Sequence, residues 1–242
     1  PTQQVKPTMQ LIKVIALCSL FISPTVMAED CVILLHGMAR SNSSMAAMAD
    51  ELTAAGYATV NYDYPSTDYP IEQLAEQSIN NALELCPNQA RINFVTHSLG
   101  GILVRQYLSQ HNIERLGRVV MLGPPNQGSE VVDVLHDVPG YDLINGPAGQ
   151  QLGTDAMSIP NQLGPANFEL GIIAGSRSIN LILSTMLPDT DDGKVSVEKT
   201  KLAGMKDHLI LPVTHPFMMK NKTVIAQVKH FLKHGYFKKQ VS

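Results

Sequence analysis

Arg91-Ile92-Asn93-Phe94-Val95-Thr96-His97-Ser98-Leu99-Gly100-Gly101-Ile102-Leu103 is the stretch that decides the fold. A mostly apolar run, suited to a strand covered on both faces, ends at a serine. Two glycines follow at once, and then a helix with Ile102, Leu103, Tyr107 and Leu108 on its inner side. A sharp strand-to-helix turn brings flanking backbone close, so it needs small residues beside it. Such a turn lifts the Ser98 hydroxyl above the sheet, against the N–H groups and positive dipole end of the next helix.

The same alternation extends in both directions. Upstream, Cys31 to Leu35 is a continuous apolar run that ends at His36-Gly37. Ser41 to Ser44 offer caps for a helix that reaches Gly56, Ala58 to Tyr62 reads as a second strand, and Ile71 to Leu85 as an amphipathic helix. Downstream, strands are expected at Arg118–Leu122, Leu170–Ala174 and Leu209–Val213. The final helix carries Val224, Ile225, Val228, Phe231 and Leu232 as a core-facing stripe, with its lysines mostly on the other, solvated face. Strict alternation predicts an α/β fold: a mostly parallel six-stranded sheet with helices on both faces. Residues 124–168 break the pattern, being rich in Gly, Pro, Asn and Gln, and are expected to form a lid or pocket wall. Met157, Ile159, Leu163 and Phe168 would give it an apolar lining; ordinary core contacts are the alternative.

Composition bounds the rest. The chain has 242 residues, 44% hydrophobic and 16% charged, with a formal net charge of -3. That is globular composition, and nothing global points to a nucleic-acid partner. Residues 9–28, MQLIKVIALCSLFISPTVMA, read as a secretory signal peptide with Lys13 in its positive region and cleavage after Ala28. Residues 1–8 are an upstream extension. The apolar run is about half the ~20 residues a spanning helix needs, so stable membrane insertion is not expected after cleavage. Cys18 follows Leu17, which argues against a lipoprotein. Cleavage removes Lys6 and Lys13, takes the charge from -3 to -5, and leaves residues 29–242 as one domain. A periplasmic or secreted location follows. Cys31 and Cys86 then remain, and an even pair in an oxidising compartment suggests a disulfide, both cysteines being expected at the N-terminal ends of neighbouring strands. Two buried free thiols are the alternative.

A serine hydroxyl becomes a nucleophile when a histidine, held by a carboxylate, takes its proton. With the serine at a strand-helix elbow the chain order is serine, acid, histidine. His215 lies just past the last strand in Val213-Thr214-His215-Pro216; His208 precedes that strand, and His230 and His234 fall in the final helix. Asp189, Asp191, Asp192 and Asp207 compete for the acid. Asp192 is favoured because Gly193 lets the chain turn and present it, with Asp191 second. Calcium on this acidic loop is an outside alternative, and no metal or cofactor is expected. Two N–H donors for a developing oxyanion are expected from Leu99 and Met38. His36 and His97 are read as architectural. Arg40 and Ser41 serve either as substrate contacts or as surface and capping residues.

LLHGMARSNSSM, NFVTHSLGGILVR, LGPPNQGSE, DDGKVSVEKT and PVTHPFMM together resemble the bacterial lipase and PGAP1-like serine esterase branch of the α/β-hydrolase superfamily. The resemblance is weakest over 135–168. It implies a minimal α/β-hydrolase fold and a carboxylic ester hydrolase, with Ser98, Asp192 and His215 carried over by motif and a small-molecule or lipid ester as substrate. The family's usual Gly or Ala two residues before the nucleophile is Thr96 here. An acyltransferase using the same triad and a non-catalytic interaction protein on this scaffold are the competing readings.

Overall fold

The computed structural model describes Thr2, residues 30–179, Leu187 and residues 190–239. The expected leader, with Cys18, and the competing Asp189 lie outside the described residues.

Among the described residues there are six strands: β1 Cys31–Leu35, β2 Ala58–Tyr62, β3 Ile92–His97, β4 Leu116–Leu122, β5 Glu169–Gly175 and β6 Asp207–Leu211. Their order in the sheet is β2-β1-β3-β4-β5-β6, and every neighbouring pair is parallel. The run Cys31-Val32-Ile33-Leu34-Leu35 is fully buried because its side chains divide between two cores. Cys31, Ile33 and Leu35 join Phe94, Leu74 and Ile102 on one face. Val32 and Leu34 join Val95, Val228 and Phe231 on the other. Helices α2 (Ile71–Glu84) and α3 (Leu99–Gln110) cover the first face, and α1 (Ala46–Ala54) and the C-terminal helix, α8 (Lys222–His234), cover the second. All five residues of the expected C-terminal stripe are buried.

One expectation is corrected. The last strand starts at Asp207 and ends at Leu211, not at Leu209–Val213, so His208 lies on it rather than before it. β6 is an edge strand with only Leu211 fully buried, and an edge tolerates polar residues that an apolar-run reading discards. The segment 124–168, which shows no clear periodicity in the sequence, contains three short helices: α4 (Glu130–Leu135), α5 (Tyr141–Gln150) and α6 (Ile159–Gln162). α5 is broken at Gly146 (φ 63°, ψ −170°) just before Pro147. Pieces this short carry too few turns to show a helical period.

This segment is tied to α3 by Arg105. Its guanidinium is buried and donates to the carbonyls of Asn126, Pro160 and Gly164 at 2.8–3.0 Å, and to Asn126 Oδ1 at 3.3 Å. Burial lowers its pKa to about 10. Cys31 and Cys86 form a disulfide across 55 residues of sequence. Cys31 opens β1 as expected, while Cys86 sits in the turn after α2, six residues short of β3. A helix α7 (Val197–Thr200) follows the acidic loop.

Candidate active site

Ser98 sits between β3 and α3 with φ 53° and ψ −120°, in the positive-φ region that side chains avoid. The turn is held by Ser98 N–H donating to Leu122 O and Gly101 N–H donating to Ser98 O. Gly100 is required by close approach: a Cβ there would stand 2.8 Å from Leu35 O and 2.9 Å from His36 O. Both atoms belong to main chain, which cannot step aside.

Asp192 and His215 meet from the loops after β5 and β6. His215 Nδ1 lies 2.7 Å from Asp192 Oδ2. A carboxylate only accepts, so Nδ1 carries the proton and Nε2 is left with a lone pair. Asp192 is wholly buried, and its Oδ1 accepts from the Lys194 and Val195 N–H groups, each at 3.0 Å. Asp192 O also accepts from His215 N–H at 2.9 Å. Gly193 turns the loop at φ 100°, and its N–H donates to Asp191 Oδ1, which separates the roles of the two neighbouring acids. Gly123 was not singled out in the sequence. A Cβ at this position (φ 53°) would lie 2.9 Å from Asp192 Oδ2 and 3.1 Å from His215 Nδ1. Its Leu-Gly-Pro-Pro setting after β4 is the only trace of this in the sequence.

The other two histidines near the elbow hold the architecture. His36 Nδ1 donates to Gly37 O at 2.8 Å, while Nε2 accepts from Tyr64 N–H at 3.3 Å. Tyr64 stacks on the ring at 4.1 Å and donates its hydroxyl to His36 O. Burial lowers the His36 pKa, in keeping with a neutral ring. The loop so anchored presents Met38. Neither the Met38 nor the Leu99 N–H donates to a protein acceptor among the described residues. Leu99 directly follows Ser98, and Gly37, just before Met38, packs against the elbow: a Cβ on it would stand 3.2 Å from Ser98 Cβ.

Ser98, Asp192 and His215 line one cavity of about 570 Å³, with Met38 and His97. A volume of this order suits a small organic ligand or an acyl chain. Its apolar wall comes from Val131, Val132, Leu135, Val138, Ile144 and Leu152. Of the two readings of Met157, Ile159, Leu163 and Phe168, core contacts hold for the last three, and none of the four lines this cavity. Met157 is 77% exposed to solvent, and Ile159, Leu163 and Phe168 pack against the core on the α2–α3 face. They flank the Arg105 anchor, and the wall is built by α4, α5 and the residues following them. Arg40 and Lys194 complete the rim; Lys194 had no signal in the sequence beyond its place two residues after Asp192.

Together these groups can pass a proton from a hydroxyl to an imidazole, keep that imidazole in one tautomer, and offer N–H donors to a negative oxygen. A family model for the alpha/beta hydrolase fold matches residues 30–170. Among solved structures, the chain is similar to the mature form of a Bacillus licheniformis lipase, BlEst2. The two are 20% identical over 85% of this chain and 92% of that one, with a TM-score of 0.66. A metagenomic carboxyl esterase is 19% identical over 78% of this chain and 65% of that one, with a TM-score of 0.63. The phospholipase PlaB from Legionella pneumophila is 15% identical over 85% and 58%, also at 0.63. At these identities the likeness is one of fold. Among curated proteins there is no match. The family match spans more than half of the chain, and the chain belongs to the α/β-hydrolase fold family.

Proposed function

We propose that this protein is a secreted or periplasmic serine hydrolase that cleaves carboxylic esters through an acyl-enzyme. The observation that carries the reading is the 2.7 Å bond from His215 Nδ1 to Asp192 Oδ2, on a cavity shared with the strained Ser98. Ser98 Oγ attacks the ester carbonyl and gives its proton to His215 Nε2. The oxyanion takes hydrogen bonds from the Met38 and Leu99 N–H groups. His215 then hands the proton to the departing alkoxide as the C–O bond breaks. Water repeats the sequence on the acyl-enzyme and releases the acid. Asp192 orients His215 and stabilises its charged form. The disulfide supports a compartment that is oxidising. No described helix is long and apolar enough to cross a membrane.

The apolar wall favours acyl chains over small acetyl groups. The test is hydrolysis of p-nitrophenyl esters of increasing acyl length by residues 29–242, beside Ser98→Ala. Wild-type activity that falls by on the order of 10⁶ in the variant supports the reading. Equal activity in both proteins overturns the serine assignment. Failure of a fluorophosphonate to label the wild type would return weight to a binding role.

A further inference from the structure

Two cations stand on the cavity that holds Ser98: Arg40, from the loop after β1, and Lys194, from the loop after β5. In the sheet those strands lie on either side of β3 and its elbow. Among the described residues neither side chain forms an ion pair with a carboxylate. Asp192, the one acid on the cavity wall among the described residues, is committed to His215 and to the Lys194 and Val195 N–H groups. Arg40 is half-buried, and desolvation lowers its pKa. Lys194 lines the cavity and is exposed. Crowding by protein lowers its pKa first, the charge of Arg40 lowers it further, and Asp192 opposes both.

Two like charges within electrostatic reach, with no counter-ion among the described residues, repel across a wall whose other members are mostly apolar. An anion between them relieves that repulsion, and the apolar surroundings strengthen the attraction. Arginine and lysine side chains only donate, so the partner must present acceptor oxygens. The wall of Val131, Val132, Leu135 and Ile144 offers nothing to such a group and suits a hydrocarbon chain.

We infer that the substrate is an amphiphilic ester whose acyl chain lies along the α4–α5 wall and whose alcohol side carries an anionic headgroup held by Arg40 and Lys194. Phosphate, sulfate and carboxylate share the required chemistry. This rests on the ester-hydrolase reading above, and the test separates the two.

Binding is measured first, on Ser98→Ala protein, where no turnover is needed. Octyl phosphate and octyl glucoside share a chain and differ in charge. The phosphate is expected to bind tighter by roughly 10–100-fold, the worth of charge-assisted hydrogen bonds, and to weaken with salt. Adding Arg40→Gln and Lys194→Gln brings the ratio near one. Lys194→Gln alone, on an exposed side chain, lowers the ratio in part and serves if the double change impairs folding. Equal affinity for the two ligands, or a preference that survives the substitutions, overturns the proposal. Turnover is then compared for 2-nitrophenyl octanoate and its 5-carboxylate. The anionic ester should have the higher kcat/KM, and the ratio should collapse with Arg40→Gln and Lys194→Gln; both esters falling together overturns the assignment. A binding preference without hydrolysis of either ester by the wild type overturns the ester reading and leaves only a subsite for anionic amphiphiles.

Discussion

His97 Nε2 lies 3.0 Å from the main-chain carbonyl oxygen of His215, and the two rings are 4.6 Å apart at 50°. A carbonyl only accepts, so Nε2 carries the proton, and the buried Nδ1 has no hydrogen-bond partner among the described residues. His97 is therefore neutral. Burial holds its pKa well below the usual 6.5, and the charges of His215 and Arg40 add to this.

This neutrality makes stability depend on pH. As pH falls through about 6.5 the unfolded chain takes up a proton at His97 while the folded chain does not, so stability is present above that pH and is lost below it. Each such histidine contributes a slope of about 1.4 kcal/mol per pH unit. His36, also buried and lowered, acts in the same direction. Urea unfolding between pH 7.5 and 5 should show His97→Gln losing stability less steeply than wild type by about that slope. Parallel curves would mean that His97 titrates normally.

Asp192→Asn keeps the shape of the acid and removes its charge and its preference for one tautomer of His215. A fall in kcat of about 10⁴, with the far-ultraviolet circular dichroism unchanged, is the expected result. Asp191→Asn should keep the greater part of the activity, because it is Asp192 that bonds to His215. Equal losses in the two variants would reassign the acid.

Arg105→Met removes four hydrogen bonds and leaves the carbonyls of Asn126, Pro160 and Gly164 without their donor. A loss of about 2–4 kcal/mol is expected, read as a fall in Tm of about 5–15 °C. Limited proteolysis should then cut first within 124–168. Protection equal to wild type would show that the segment is held by its apolar contacts instead.

Replacing Cys31 and Cys86 together by alanine releases a 55-residue loop in the unfolded state. The cost should be about 2–4 kcal/mol, and reductant should lower the Tm of the wild type but not of the variant. A wild-type Tm indifferent to reductant would mean that the bridge contributes little.

Much of the fold is legible because the signals are local. The run Cys31–Leu35 cannot be solvated on either face, and the Val224–Leu232 stripe has one face to bury. Ser98 and His215 stand out by position alone, one at a glycine-flanked elbow and one past the last strand. Asp192 is legible through Gly193, since an acid held by a tight turn is presented in one direction. β6 is misplaced by two residues because only Leu211 of its five residues is buried, so the strand is not a continuous apolar run. The 124–168 segment is opaque because its helices are short and one is broken at Gly146-Pro147.

By itself the sequence determined the alternation of strands and helices, the elbow serine, and the order in which serine, acid and histidine arrive. Each of these depends on residues close together in the chain: periodicity, a turn, a glycine. Only the tertiary structure decided which residues face the cavity, that Gly123 leaves room beside Asp192 and His215, and that Arg40 and Lys194 share one rim. Those relations join residues up to about 180 positions apart, and they exist only once the sheet has set the distances between its loops.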